Sequence, residues 1–243
     1  MKKSIYTLSI IVPAYNEEKT IAELLQRVLD ANIGENIEKE IIVVNDCSTD
    51  STESCVKDFI VSHPAAPITY LKHDRNYGKG MAVRTGIQAV TGDYVVMQDA
   101  DLELDPNDFA QMLPHLLSGD YRVVYGSRFL AEENSHTYFS YQLGGKFLSM
   151  MTNILYHQHI TDEPTCYKMF TADLLKSIPL DCTGFEFCPE VTAKVSRLGH
   201  KIKEVPIRYY PRSIEEGKKL RLSDGIKAIG TLLKYRFWKN PYR

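Results

Sequence analysis

Four carboxylates occupy every second position of one short stretch in this 243-residue chain. Asp99, Asp101, Glu103 and Asp105 follow the apolar segment "YVVMQ", which ends at Gln98. In an extended backbone alternate side chains point the same way, so the four could crowd one face. Like charges repel each other unless a cation lies among them or they turn toward water. The spacing therefore leaves two alternatives, a cation site and a solvated acidic turn.

A short D-x-D at the end of a strand suits a hard divalent cation that keeps several waters and bridges to phosphate oxygens. An EF-hand is excluded, because Leu104 replaces the glycine of loop position 6 and Ala110 replaces the glutamate of position 12. A helix-capping turn explains Asp105 but does not explain Asp99 and Asp101. The pattern alone does not decide between the two alternatives.

The stretch "NYGKG" (76–80) is rich in glycine but is not a P-loop. His73 stands where the first glycine would be needed, and Gly80 stands where Ser or Thr would be needed. Glycines still permit a backbone to approach a ligand closely, and Lys79 supplies a point charge suited to phosphate. Elsewhere "HQH" (157–159) offers two metal-binding side chains without an obvious third, which favours a structural role.

The elements that must position these residues form a regular series up to Phe129. Apolar segments alternate with amphipathic helical ones, which predicts a mostly parallel sheet with helices on both faces. The polar motifs all follow a predicted strand, and ligands bind beyond the carboxyl ends of such strands, so we expect the motifs to meet at one rim. A helix near Gly145–Tyr156 and a late strand in "KIKEVPIRYY" should follow. The predicted strands are Leu8–Val12, Glu40–Asp46, Ile68–His73, Tyr94–Gln98 and "YRVVYGS".

Length and composition indicate one α/β domain. Hydrophobic residues make up 44% of the chain and charged residues 25%, as in ordinary globular proteins. No apolar run approaches the ~18 residues of a membrane-spanning helix. Five cysteines form an odd set without a CxxC pair, which favours a reduced, cytoplasmic setting over disulfides or a zinc site.

Charge is distributed unevenly although the net charge is only −2. The segment from Lys201 to Arg243 has twelve Lys and Arg residues against four Asp and Glu. Such a basic segment indicates an anionic partner, which could be a phosphate, a nucleic acid or a membrane surface. A solvated basic face is the alternative.

The last part of this segment predicts a basic amphipathic helix. Aromatic residues at one end of such a helix suit an anionic membrane interface. Packing of the apolar stripe against the protein's own domain, or against a second copy in a homo-oligomer, is equally compatible with the pattern. The stripe comprises Leu222, Ile226, Ile229, Leu233 and Phe237, with Lys227, Lys234, Arg236 and Lys239 off it.

Seven motifs in this order give the chain a family resemblance: "SIIVPAYNEE", "EIIVVNDCSTDST", "NYGKGMAVRTGI", "GDYVVMQDADLE", "VYGSRF", "CYKMF" and "EVPIRYYPRSIEEGKKL". Together they resemble the family 2 glycosyltransferases of GT-A (Rossmann-like) fold, and most closely the branch of polyprenyl (dolichyl) phosphate mannosyl- and glucosyltransferases. The resemblance covers nearly the whole chain. It implies a nucleotide-sugar-binding half at 1–128, an acceptor-binding half at 129–219 and the C-terminal helix at 220–243, all within one domain.

The resemblance also implies roles for individual residues. Pro13, Tyr15 and Glu17 would surround the nucleoside of the donor, and Asp46 would contact its base. Arg75 and Lys79 would lie near the diphosphate, and Asp99 would face the ribose. Ala100 and Asp101 would belong to the same substrate site. Asp101 would ligate Mg²⁺ or Mn²⁺ with Glu103, where relatives often have Gln. Arg128, Arg212 and Lys219 would face the acceptor and, with Asp101, make up the catalytic set. One departure is "VNDCS", in which Asn45 and Cys47 replace the Asp and Gly of "DDGS".

The implied activity is metal-dependent, inverting transfer of a sugar from a UDP- or GDP-sugar to a polyprenyl phosphate, without a nucleic-acid partner and with peripheral contact to the cytoplasmic membrane face. Transfer to a carbohydrate hydroxyl in surface polysaccharide assembly would instead need a general base. A non-catalytic nucleotide-sugar-binding module stays a third alternative. A sugar nucleotidyltransferase would have a Gly- and Arg-rich loop in place of "VPAYNEE". The general-base candidates are Asp162, Glu163, Glu186 and Glu190.

Overall fold

A computed structural model describes residues 5–134, 139–211 and 222–240. This part of the chain contains seven strands and eight α-helices. Their bounds are β1 Tyr6–Ala14, α1 Ile21–Asp30, β2 Ile37–Asn45, α2 Thr52–Ser62, β3 Ile68–Lys72, α3 Lys79–Ala89, β4 Tyr94–Met97, α4 Phe109–Leu117, β5 Val123–Ser127, α5 Phe139–Tyr156, β6 Lys168–Thr171, α6 Ala172–Lys176, α7 Phe187–Arg197, β7 Lys203–Pro206 and α8 Leu222–Tyr235.

The seven strands form one sheet in the order β3-β2-β1-β4-β6-β5-β7. Strands β1 to β4 pair in parallel, and β5 pairs in parallel with β7. Strand β6 lies antiparallel between β4 and β5. The sheet is therefore mostly parallel, and the predicted α/β architecture is confirmed. Strand β6 was not predicted.

Helices cover both faces of the sheet, as expected for strands that are apolar on both sides. Helices α1, α2 and α4 pack on one face with alternate β1 residues such as Leu8 and Ile10. Helices α3, α6 and α7 pack on the other face with Ile11 and Val95. A third apolar cluster joins α5, α7 and α8. The core thus fixes the strands whose ends carry the site.

Strand β1 extends two residues beyond its predicted end. Its register with β4 stops at Ile11↔Met97, whereas its register with β2 continues to Ala14↔Asn45. Pro13 therefore lies beyond the β4 pairing, where its missing N–H breaks no ladder hydrogen bond to that strand. None of the helices among the described residues has the length and apolar character needed to cross a membrane.

Candidate active site

The carboxyl ends of β1 to β5 meet at one rim, and the predicted motifs follow these ends. The amino end of the antiparallel β6 and the carboxyl end of β7 lie at the same rim. The loop at 161–167 and the segment at 207–211 are therefore brought to it as well. The expected convergence on one rim is confirmed by contacts between motifs that are far apart in sequence.

Lys79 and Asp99 form the ion pair at the centre of this rim. Lys79 is the first residue of α3, and its Nζ lies 2.6 Å from Asp99 Oδ1. Burial, the largest single influence, favours the neutral amine, but the charge and hydrogen bond of Asp99 and weaker interactions with nearby thiols outweigh it, so the pKa of Lys79 is raised. The side chain therefore stays a cation, and 25% of its surface is exposed.

The acidic stretch is not extended, so its four carboxylates do not share one face. Strand β4 ends at Met97, and Leu102 adopts a left-handed φ of 61°. The Asp101 carboxylate accepts the Glu103 N–H at 3.1 Å, which closes a tight turn. Asp105 caps the 3₁₀ turn at 106–108 by accepting the backbone N–H two residues on, at 2.9 Å. The repulsion that the spacing suggested is thus relieved by different partners for different carboxylates.

The described residues contain no cluster of three or more His, Cys, Asp or Glu side chains arranged to hold a metal ion. A Mg²⁺-like ion is usually held by one or two carboxylates together with substrate phosphates, and it does not require a cage made by the protein. Asp101 and Glu103 on one turn at the rim, with Lys79 nearby, fit that kind of site. Their oxygen donors also suit Mn²⁺.

Arg128, which follows β5, is locked to a buried carboxylate. Asp162 is fully buried and accepts three bonds from Arg128, at 3.0 Å from the backbone N–H, 2.7 Å from Nε and 2.7 Å from Nη2. Burial works against the charged guanidinium, but Asp162 outweighs it and raises the pKa of Arg128. The guanidinium carbon lies 5.2 Å from the ring centre of Tyr209. Arg128 is 22% exposed, so a fixed cation edge remains open at the rim.

All four candidate general bases are engaged in internal structure. Besides Asp162, Glu163 is fully buried and accepts the Thr192 hydroxyl at 3.1 Å. Burial raises the pKa of Glu163, and Lys168 only partly offsets this. Glu190 is 1% exposed and lies 2.5 Å from a lysine Nζ one helical turn on.

Glu186, the fourth, accepts the backbone N–H groups of Thr183 and Gly184 at 3.0 Å each. Burial would raise the pKa of Glu186, but these hydrogen bonds outweigh it and lower the pKa. The carboxylate therefore holds the 183–184 loop in place, and its hydrogen-bonding oxygen faces the protein's own backbone. Asp162, Glu163 and Glu190 are thus buried from solvent, and one oxygen of the partly buried Glu186 is committed to this loop.

The glycines of "NYGKG" approach the protein's own chain. A Cβ on Gly78 would lie 2.4 Å from the Thr183 carbonyl oxygen, and one on Gly80 would lie 2.7 Å from the Gly184 oxygen. Gly78 also has a φ of 94°. The structure thus gives these glycines a structural reason, and their approach to a ligand stays a prediction. They let the 183–184 loop pack against the start of α3.

Asp46 is almost completely buried, with 2% of its surface exposed. Its carboxylate accepts the N–H of Tyr77 at 2.9 Å and the N–H of Gly78 at 2.7 Å. The turn that contains Asp46 is held by its own residues. Cys47 adopts a left-handed φ of 58°, and the Asn45 side chain accepts the Ser48 N–H at 2.9 Å.

The remaining predicted residues lie at the same rim. Tyr15 is 36% exposed, and the Glu17 N–H donates to a threonine hydroxyl of α2 at 2.8 Å. The Arg75 guanidinium lies 4.7 Å from the ring centre of Tyr77. Ala100 is 3% exposed. Pro13 is partly buried near the end of β1. Arg212 and Lys219 lie outside the described residues.

Sequence reasoning missed two partners of the site. His73, next to Asp46, was considered only as a residue that rules out a P-loop. Arg208 donates to Asp108 from its backbone N–H at 2.7 Å and from Nε at 2.9 Å, and its Nη1 lies 2.9 Å from Asp105. This pairing ties the segment after β7 to the acidic stretch. The basic character of the C-terminal segment was the available signal, but a pairing over 100 residues is not visible in sequence.

Comparisons with known proteins show which family the chain resembles. The profile of Glycosyl transferase family 2 matches residues 9–178. A dolichyl-phosphate beta-glucosyltransferase (ALG5A) of Trichomonas vaginalis is 32% identical over 95% of this chain and 73% of its own length. The low-salt glycan biosynthesis hexosyltransferase Agl6 of Haloferax volcanii is 30% identical over 86% of this chain and 49% of its own length.

Among solved structures, glucosyl-3-phosphoglycerate synthase from Mycobacterium tuberculosis, in complex with Mn²⁺, UDP-glucose and phosphoglyceric acid, superposes with a TM-score of 0.69. The two sequences are 20% identical, and the match covers 97% of this chain and 82% of that chain. This likeness confirms the GT-A fold. Because the profile matches most of the chain and the named relatives are glycosyltransferases, the protein belongs to glycosyltransferase family 2 and is a glycosyltransferase.

Proposed function

We propose that this enzyme transfers a sugar from a UDP- or GDP-sugar to a polyprenyl phosphate, with inversion at the anomeric carbon. The observation that carries the acceptor assignment is the engagement of Asp162, Glu163, Glu186 and Glu190 in internal structure. A hydroxyl acceptor needs a general base at the site. A phosphate monoester has a second pKa near ~6 and is a nucleophilic dianion at neutral pH, so it needs only cations to bind it.

The relatives support the same acceptor class. The relative from Trichomonas vaginalis is a dolichyl-phosphate glucosyltransferase by name, and the match spans 95% of this chain. Arg128 offers a cation that Asp162 holds at a fixed position beside the donor rim. Arg212 and Lys219 would add two more cations, from the segment that is expected to face the acceptor.

On the donor side, Lys79 would move from Asp99 toward the diphosphate, and Asp99 would then accept a ribose hydroxyl. Mg²⁺ or Mn²⁺ held by Asp101 and Glu103 would neutralise charge that develops on the nucleotide-diphosphate leaving group. Use of Mn²⁺ fits the solved neighbour, which was crystallised with that ion. Attack by the acceptor opposite the leaving group inverts the anomeric centre.

The lipid part of the acceptor calls for an exposed apolar surface, and α8 has apolar side chains on both its inner and its outer side. Ala228, Leu232 and Tyr235 turn inward and are at most 7% exposed. The alternative in which the predicted stripe packs inside the domain does not hold for most of its described side chains, since only Ile229 is partly buried. The outward members are Ile226, 67% exposed, Leu233, 53% exposed, and Phe237, 81% exposed.

The neighbouring helix α5, which packs against α8, also carries exposed apolar side chains. We propose that the two helices dock on an anionic bilayer, since the exposed lysines Lys227, Lys234 and Lys239 lie beside the apolar side chains and each is worth ~1 kcal/mol near such a surface. Among the side chains of α5 that the structure describes, the exposed large apolar ones are Leu143, Phe147, Met150 and Ile154.

Flotation with anionic liposomes tests this surface. The wild type should float, and salt should weaken its binding. Reversing Lys227, Lys234 and Lys239 to Glu should abolish flotation while the protein stays folded. The matched control reverses Lys19, Lys57 and Lys201, which are exposed elsewhere, and should float. Equal flotation of both triple variants would contradict docking by α8, and a shift to monomer in the first variant would indicate an interface between copies instead.

Transfer assays test the acceptor. Labelled UDP-glucose and GDP-mannose are each supplied with Mn²⁺ and either polyprenyl phosphate or a neutral glycoside. We expect label in the lipid phosphate with one of the donors. Efficient transfer to the glycoside, with none to polyprenyl phosphate, would contradict the proposal.

A further inference from the structure

His73 links the end of β3 to two other elements of the donor rim. Its Nδ1 lies 2.7 Å from Asp46 Oδ1, and its Nε2 lies 2.9 Å from the Thr85 hydroxyl on α3. The side chain is 10% exposed. An ionised carboxylate can only accept hydrogen bonds, so the proton lies on Nδ1 and is donated to Asp46. Both ring nitrogens are therefore engaged within the protein.

The same Asp46 carboxylate holds the backbone just before Lys79. It accepts the N–H of Tyr77 on Oδ1 and the N–H of Gly78 on Oδ2, at 2.9 and 2.7 Å. The rings of His73 and Tyr77 also meet edge to face, with their centres 5.4 Å apart. One buried carboxylate, oriented by one imidazole, thus fixes two successive amides at the entrance to α3.

The other side of this segment is held by the 183–184 loop. The Met81 N–H donates to the Thr183 carbonyl at 3.2 Å, and the lack of side chains at Gly78 and Gly80 allows this close packing. Lys79 lies between the two attachments, with its Nζ 2.6 Å from Asp99. The position of the Lys79 ammonium therefore depends on the Asp46 attachment as well as on the loop.

We propose that His73 is a positioning residue for donor binding. His73 orients Asp46, and Asp46 holds the backbone N–H groups of Tyr77 and Gly78. This arrangement places the Lys79 ammonium beside the position that the diphosphate would occupy. The inference rests on the proposed function, in that it assigns Lys79 to the donor. Loss of the arrangement would leave fewer molecules competent to bind, and apparent affinity falls in proportion to that fraction. A bound donor would restore the arrangement, so the donor KM should rise more than kcat falls.

Two substitutions separate the two hydrogen bonds of the imidazole. His73→Asn places an amide near the position of Nδ1 and can keep the bond to Asp46. His73→Gln places its amide near Nε2 and keeps only the contact with Thr85. His63→Gln is a matched control, because His63 also makes an intramolecular hydrogen bond, 2.9 Å to the Phe59 carbonyl, but lies at the opposite end of α2 from the rim.

Hydrogen exchange and calorimetry test the inference on the full chain. In His73→Gln, the amides of Tyr77 and Gly78 should exchange faster, and UDP or GDP, each titrated with Mn²⁺, should bind about tenfold more weakly, as expected for a lost hydrogen bond to a charged group. In His73→Asn the loss of nucleotide affinity and of amide protection should be much smaller. His63→Gln should match the wild type in both measurements. The KM for polyprenyl phosphate should not change in any of these variants.

The outcomes separate this inference from the proposed function. The positioning role would be overturned if the Tyr77 and Gly78 amides exchanged at the wild-type rate in both His73 variants. It would also be overturned if the Asn and Gln variants weakened nucleotide binding equally. Failure of the wild type to bind either nucleotide would overturn the proposed donor site, and the exchange measurement would still decide whether His73 holds the segment.

Discussion

Asp162→Asn should destabilise the fold far more than an ordinary loss of a surface ion pair. The substitution keeps the size of the side chain but removes the charge that faces the Arg128 guanidinium, and one carboxylate oxygen that accepts an N–H becomes a donor. Removing one partner of a buried pair costs about 3–5 kcal/mol. Because Arg128 is 22% exposed and water can reach part of it, we expect Asp162→Asn to lower the free energy of unfolding by about 3 kcal/mol, the lower end of this range.

Thermal unfolding measures this cost. For a chain of this size each kcal/mol shifts Tm by about 2–4 °C, so Asp162→Asn should lower Tm by about 6–12 °C. Asp173→Asn is the matched control, because Asp173 pairs with Arg122 at the surface, where the side chains are 76% and 39% exposed. Exposed pairs contribute about 0–1 kcal/mol, so this variant should shift Tm by at most about 4 °C. Equal shifts in the two variants would refute the argument that Asp162 is committed to structure.

Three further predictions concern the metal, the acceptor and pH. Asp101→Asn should abolish transfer without lowering Tm, and excess EDTA should do the same to the wild type; full activity in either case contradicts the metal role. Arg212→Ala and Lys219→Ala should raise the KM for polyprenyl phosphate and leave nucleotide affinity unchanged, whereas mere surface charges would change neither. Burial alone would raise the pKa of Glu40, but hydrogen bonds, including two from Thr91, lower it below its ordinary 4.5. The stability that ionised Glu40 contributes is therefore complete above its ordinary pKa and is lost as pH falls through its lowered pKa in the folded protein. The Tm difference between the wild type and Glu40→Gln should therefore shrink in acid. A difference that widened in acid would refute the assignment.

The strands and the rim could be predicted from sequence because they depend on local patterns. The apolar runs of β1 to β5 are long enough to indicate buried strands, and the polar motifs after them must meet where parallel strands end. Strand β6 was missed because its four residues begin with Lys168, which is fully buried over the ring of Tyr125 at 3.8 Å. A buried lysine in a short strand carries no apolar signal, and only pairing with β4 and β5 makes it a strand.

The chemical roles of carboxylates were harder to predict than their positions. Asp162 and Glu190 have the residue type of a general base, but their partners lie 34 residues away for Arg128 and one helical turn away for Lys194. Sequence shows which acids are present and does not show which of them are already paired. The acidic stretch illustrates the same limit, since its alternation suggested one face until the left-handed Leu102 turned the chain.

The most direct test of the central claim is to follow the acceptor oxygen. Polyprenyl phosphate labelled with ¹⁸O in its terminal phosphate oxygens is incubated with the enzyme, Mn²⁺ and the accepted nucleotide sugar, and the products are analysed by mass spectrometry. If a phosphate oxygen is the nucleophile, the lipid product carries the sugar and retains all of the ¹⁸O, the anomeric configuration is inverted, and the released nucleoside diphosphate carries none. A sugar found on a hydroxyl acceptor or released to water, with the labelled lipid phosphate unchanged, would contradict the claim.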